Sequence, residues 1–142
     1  MNNKAKESAW FDTNVILRFL LRDDSDLFKV VEPLFLRAEQ GELVIFIHPL
    51  IVAELVWTLE SFYGYPRRKI SEVLMGLIEA QGVEVPEKEI VFGALQDYEE
   101  KNVDFIDAYL THYAAHQGHL TIYTLEKKHF SRLNGDIRVL SN

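Results

Sequence analysis

Trp10-Phe11-Asp12-Thr13-Asn14-Val15-Ile16-Leu17-Arg18-Phe19 sets a carboxylate directly after a short apolar run and before a segment whose apolar residues recur at helical spacing. Ala9-Trp10-Phe11 reads as a first strand, with Asp12 or Thr13 as the N-cap of a helix to about Leu21. An acid therefore stands at the end of a strand. Further acids recur in comparable settings. Glu54 lies within Leu50-Ile51-Val52-Ala53-Glu54-Leu55-Val56-Trp57, Asp104 and Asp107 within Val103-Asp104-Phe105-Ile106-Asp107-Ala108, and Glu126 follows Thr121-Ile122-Tyr123-Thr124-Leu125. Taken together they suggest an oxygen-donor metal site.

Working outward, strands and helices alternate. Leu27 to Gln40 carries Val30, Val31, Leu34, Phe35 and Ala38 at helical spacing, with Pro33 marking a kink or a fresh start. Leu43-Val44-Ile45-Phe46-Ile47 is a continuous apolar run closed by His48-Pro49, as expected of a strand buried on both faces of a parallel sheet. From Leu50 the period changes, and Ile51, Leu55, Leu59 and Phe62 form one stripe. Arg67 to Ala80 presents Ile70, Val73, Leu74, Leu77 and Ile78, so these two helices are expected to form a hairpin. Val83 to Pro86 is a short strand, Lys88 to Tyr98 a helix, and Phe105 to Gln117 a helix capped by Asp104 and stopped by Gly118. Thr121 to Thr124 is a strand, Lys127 to Leu133 a short helix, and Ile137 to Leu140 a terminal strand. This order predicts an α/β fold with a parallel sheet between helical layers, where ligands sit beyond the carboxyl ends of strands.

The 142 residues suit one domain, expected over 9–142 after a flexible tail at 1–8. With 48% hydrophobic and 26% charged residues, the chain has an ordered globular profile. The absence of cysteine excludes disulfides, thiolate-zinc sites and thiol catalysis. No apolar run approaches a bilayer span, and the polar start lacks a signal-peptide core, so the cytoplasm is the expected location. The net charge of −7 disfavours broad attraction to nucleic acid. A carboxylate cluster nevertheless reverses its local field on binding a divalent cation.

Each acid has an ordinary explanation beside the chemical one. Asp12 serves as a helix cap, worth about 1 kcal/mol. Glu54 on a helix reads as a surface residue, although so apolar a stretch threatens partial burial, which needs a compensating partner. Asp104 reads as a cap, and Asp107 gains from the helix dipole. On that helix Ile106, Leu110, Tyr113 and Gln117 trace the expected core stripe, which puts Asp107 at its edge with Asp104 one turn back. Glu126 beside Lys127 and Lys128 resembles ordinary surface chemistry. Convergence favours the metal reading, because clustered carboxylates repel unless protonated or bridged by a cation. Mg2+ or Mn2+ suits oxygen donors, whereas zinc normally wants His or Cys.

His112 and His116, at i and i+4, could bind zinc, but they lie roughly 140° and 180° around the helix from Asp107 and read as exposed or partly buried. Gly-rich phosphate loops and nucleophile elbows are absent from the sequence. Arg18 and Arg22, one turn apart beyond Asp12, are the first candidates to meet a phosphate, followed by Arg67-Arg68-Lys69 and Lys127-Lys128.

In Asp12-Thr13-Asn14 with Val15-Ile16-Leu17-Arg18, Ala53-Glu54-Leu55-Val56-Trp57 and Val103-Asp104-Phe105-Ile106-Asp107-Ala108, the sequence resembles PIN-domain proteins, most closely the VapC-type toxin ribonucleases. The resemblance implies a three-layer α/β/α PIN-like domain around a central parallel sheet and an Mg2+- or Mn2+-dependent ribonuclease. It further implies acids at Asp12, Glu54 and Asp107, an accessory Asp104, and a loop supported by Thr13 or Asn14. The partners it implies are an RNA substrate, a small antitoxin protein whose tail covers the site, and a second copy in a homodimer. The alternatives are a catalytically weak PIN-fold module binding RNA or protein, and a cellular RNA-processing nuclease. The chain departs from the family where Thr-Phe-Asp is common and it reads Thr124-Leu125-Glu126, and where some members place an acid before Phe and it has His129. Glu126 is then the expected fourth acid, or that acid is missing. Trp57, Phe62, Tyr63 and Tyr65 divide between core packing and a docking or dimer surface.

Overall fold

The first strand, β1 (Glu7–Trp10), begins two residues before the expected Ala9. The computed structural model describes residues 7–141, so positions 1–6 of the expected tail lie outside the described residues. β1 pairs in parallel with β2 (Leu43–Phe46), from Glu7 opposite Leu43 to Trp10 opposite Phe46. On its other side β2 pairs in parallel with β3 (Val83–Glu84). β4 (Thr121–Thr124) and β5 (Asp136–Val139) form a second parallel ladder. The expected single sheet is therefore two hydrogen-bonded pieces, in the orders β1-β2-β3 and β4-β5.

Six helices pack on these strands among the described residues: α1 (Thr13–Leu21), α2 (Ser25–Glu39), α3 (Pro49–Ser61), α4 (Arg67–Ile78), α5 (Lys88–Glu100) and α6 (Phe105–Gln117). The result is an α/β domain consistent with three α/β/α layers. Ile16, Ile45, Ile47, Leu55, Leu59, Ile70, Leu74 and Leu95 are buried in one core that reaches Ile122 and Phe130. Each such side chain contributes about 1.5–3 kcal/mol on burial. No helix among the described residues is long and apolar enough to cross a membrane.

Several local expectations change. Pro33 does not break α2, which runs unbroken from the Asp24 cap. Pro33 and Lys29 are both exposed, so the carbonyl that proline leaves without a helical partner is open to hydration. Phe62 is 77% exposed, because α3 ends at Ser61 and buries Val52, Leu55, Val56 and Leu59 instead. On α6 the buried side is Phe105, Ala108 and Thr111, while Ile106 and Leu110 are exposed. Small residues on this side let α6 lie close to α5. A Cβ on Gly93 of α5 would stand 2.8 Å from the His112 ring. The expected helix over Lys127 to Leu133 is a 3-10 turn at Phe130–Arg132.

The loop between α5 and α6 fixes where the last helix starts. There the chain reverses through Asn102, whose φ of 52° lies in the left-handed region. Arg67 donates to the carbonyls of Tyr98 at 2.9 Å and Val103 at 2.6 Å, with its guanidinium 4.3 Å from the Tyr98 ring centroid. Arg132 donates to the carbonyl of Asn102 at 2.7 Å. The Tyr98 hydroxyl donates to Glu60 at 2.7 Å, and burial followed by that bond pushes the phenol well above its ordinary range. Arg67 thus acts as a clamp on the segment that enters α6 at Asp104.

Gly82, at φ +83°, turns the chain from α4 into β3 against the Ala38 carbonyl, 2.5 Å from where a Cβ would stand. Left-handed strain and the overlap should together cost about 2–4 kcal/mol in Gly82→Ala. Urea unfolding is expected to show that loss, and an unchanged midpoint would contradict the close packing of α2 on this turn.

Candidate metal centre

The β1–β2 ladder continues through a bond from the Phe11 N–H to the Phe46 carbonyl at 3.0 Å, which delivers Asp12 just beyond the strand's carboxyl end. There Asp12 caps α1, its Oδ1 accepting from the Val15 N–H at 3.0 Å. Its second oxygen makes no hydrogen bond among the described residues, so capping leaves a donor for a cation. Thr13, buried beside it, donates its hydroxyl to Glu54 Oε2 at 2.9 Å. Thr13 therefore ties the start of α1 beside Asp12 to Glu54 on α3. Glu54 is exposed despite its apolar neighbours, because α3 turns those neighbours into the core and leaves Glu54 outside. Asp12, Thr13, Asn14, Leu17, Ile51, Glu54 and Thr58 line an open depression of about 460 Å³.

A second group gathers at the start of α6. Asp104 occupies the N-cap position but makes no side-chain capping bond. Its carboxylate instead lies 3.3 Å from His129 Nδ1, and Asp107 Oδ2 lies 3.5 Å from the same nitrogen. One donor atom from each of Asp104, Asp107 and His129 falls within 4.8 Å of the others. Desolvation, followed by repulsion from Asp104, raises the Asp107 carboxyl above its ordinary range against the pull of His129, and Glu126 adds to the rise. Asp107 is the acid here whose charge most needs a cation.

Glu126 also has a local structural role. Both of its carboxylate oxygens accept from the His129 N–H at 3.1 Å. Desolvation works to raise it, but the N–H groups of His129, Lys128 and Phe130 and the charge of His129 carry its pKa below the usual glutamate range. Its carboxylate caps the turn that carries His129. That role was hidden in sequence because a cap bond depends on the local chain reversal. The His129 position, by contrast, was marked in sequence as a departure just before Phe130.

The basic candidates are largely committed elsewhere. Arg18 pairs with Asp23 at 3.2 Å and donates to the Tyr63 hydroxyl at 3.2 Å. Arg22 ends α1 in the left-handed region, with its guanidinium 4.9 Å from the Phe28 ring centroid. Arg67 clamps the α5–α6 loop, Arg68 pairs with Glu72, and Lys69 lies over Tyr65. Lys127 and Lys128 are exposed. His112 bonds to Asp97 at 2.7 Å and with His116 lines a different depression, consistent with the helical-phase argument.

The donor set fits a divalent ion: carboxylate oxygens with free lone pairs, plus one imidazole nitrogen. α3, which carries Glu54, packs against both α1 and α6, while among the described residues the group with donors within 4.8 Å of one another is Asp104, Asp107 and His129, without Asp12 or Glu54. Individual curated proteins give no match to the sequence. A family model, the PIN domain, matches residues 9–136. PIN domains are generally metal-dependent nucleases. With that match running from β1 through all six helices to the start of β5, the chain belongs to the PIN-domain family.

Proposed function

We propose that the protein is an Mg2+- or Mn2+-dependent ribonuclease that hydrolyses RNA phosphodiester bonds in the cytoplasm, as the toxin of a toxin–antitoxin pair. Asp12, Glu54 and Asp107 are its ligating acids, with Asp104 accessory, and the two acid groups serve one cleft. The observation that carries this reading is the set of carboxylates presented at helix starts and strand ends with oxygens left available, within a PIN domain. Held by Asp12, Glu54 and Asp107, such an ion would supply Lewis-acid activation of a water and screening of the phosphate charge. The chain's own residues position the donors: the Asp12 cap fixes its carboxylate, Thr13 orients Glu54, and the Arg67 clamp sets the start of α6. The overall charge of −7 is no obstacle, because the cation reverses the field where phosphate approaches.

A second reading, a PIN-fold module that binds RNA or protein without cutting, draws support from the engagement of Glu126 in its turn. Trp57 and Phe62, 66% and 77% exposed at the end of α3, give a partner such as an antitoxin, or the second copy of a homodimer, an aromatic face to cover. Growth arrest on expression that a co-expressed neighbouring small protein relieves would support the toxin role. Its absence from an active nuclease would favour RNA processing instead.

Asp12→Asn keeps a capping oxygen for Val15, so the fold should survive. Cleavage of structured RNA in Mn2+ is expected to fall at least about 100-fold in Asp12→Asn and Asp107→Asn and to vanish in EDTA. Undiminished cleavage by both variants would sink the nuclease assignment. Cleavage by neither the parent nor the variants, with RNA binding retained, would favour the binding module.

Thr13→Val removes the brace on Glu54, and about a tenfold loss of rate without loss of fold is expected. An unchanged rate would leave that hydrogen bond without a role in cleavage.

Stability should move the opposite way at Asp107. Its carboxyl pKa is higher in the folded protein than in the unfolded chain, so ionisation at neutral pH opposes folding and stability falls as pH rises through the acid range. In EDTA at pH 7, Asp107→Asn is therefore expected to melt above the parent. Melting well below it would mean that Asp107 is chiefly a structural residue.

A further inference from the structure

The acid cluster contains one donor that is not an acid. His129 Nδ1 lies 3.3 Å from an Asp104 oxygen and 3.5 Å from an Asp107 oxygen, and the imidazole is largely enclosed, with its side chain 19% exposed. In the metal-free chain Nδ1 takes the Asp104 N–H at a long 3.3 Å, and a bound ion would replace that N–H on the nitrogen's one lone pair. The turn that carries the ring is held firmly: Glu126 caps it, the Ser131 N–H donates to the Lys127 carbonyl at 3.0 Å, and the Arg132 N–H closes on the His129 carbonyl at 3.0 Å. A nitrogen that faces two carboxylates from a fixed turn is placed as a ligand donor would be.

We propose that His129 ligates the divalent ion through Nδ1 together with Asp104 and Asp107, making a mixed imidazole–carboxylate centre that prefers Mn2+, Co2+ or Zn2+ to Mg2+. This deepens the metallonuclease reading and rests on it. Two physical differences arise from having imidazole instead of a further carboxylate. A neutral nitrogen removes one negative charge from the site, which weakens it for a hard ion such as Mg2+. Imidazole also bonds well to first-row transition ions, whereas Mg2+ favours oxygen.

Calorimetric titration of the metal-free full chain with Mn2+ and with Mg2+ tests the selectivity, comparing the parent with His129→Ala and His129→Asp. The parent should bind Mn2+ at least tenfold more tightly than Mg2+. His129→Ala should lose about tenfold in Mn2+ affinity, and His129→Asp should narrow the ratio by raising Mg2+ affinity. Pulsed electron paramagnetic resonance of the Mn2+-loaded parent should show coupling to a directly bound nitrogen that is lost in His129→Asp, which excludes His48, His112, His116 and His119 as its source. Absence of that coupling in the Mn2+-loaded parent would overturn the proposal without recourse to any variant, even if the variants failed to fold. An unchanged Mn2+/Mg2+ ratio in His129→Asp would do the same while leaving the nuclease reading intact. A parent that bound neither ion would overturn both.

Discussion

Two carboxylates one helical turn apart, Asp104 and Asp107, share the start of α6 with a single imidazole, and the surrounding structure holds them there against their mutual repulsion. Like charges this close are tolerated only with a compensating cation or proton. Three separate parts of the chain maintain the arrangement. Arg67, on α4, fixes the backbone that enters α6 through the Tyr98 and Val103 carbonyls. Arg132 secures the preceding Asn102. Glu126 caps the turn that carries His129. All of these contacts bear on where the acids stand.

The other half of the proposed site comes from the sheet. Because β1 ends against β2 at Phe46, its next residues emerge at the strand's carboxyl end, where a helix must start and an acid can cap it. Asp12 is both cap and candidate ligand, since one carboxylate oxygen satisfies Val15 and the other makes no hydrogen bond among the described residues. Glu54 reaches the same depression from α3 and is aimed by Thr13. Fold stability and the proposed metal chemistry would be coupled here through single side chains.

Much of this was legible in sequence because it depends on local order. The strand, acid and helix at Asp12 read directly from an apolar run meeting a new period, and the α/β alternation comes from the same signal repeated. The α6 stripe was misread because close helix packing rewards small residues: Ala108 and Thr111 are buried while the larger Ile106 and Leu110 are exposed. Phe62 escaped the core because α3 stops at Ser61, before that residue could complete the stripe. Contacts between distant segments were illegible altogether. Arg18 meeting Tyr63, and Arg67 reaching Val103, depend on tertiary placement and turn candidate phosphate ligands into internal links. His129 stood in plain view as an oddity, but its approach to Asp104 and Asp107 required the turn that Glu126 caps.

The central claim is that these acids are a metal centre, and the most direct measurement is anomalous scattering from a crystal soaked in Mn2+. The expected result is a manganese peak within bonding distance of Asp107, with Asp104 and His129 around it. A peak at His112 and His116 instead, or none at the start of α6, would contradict it.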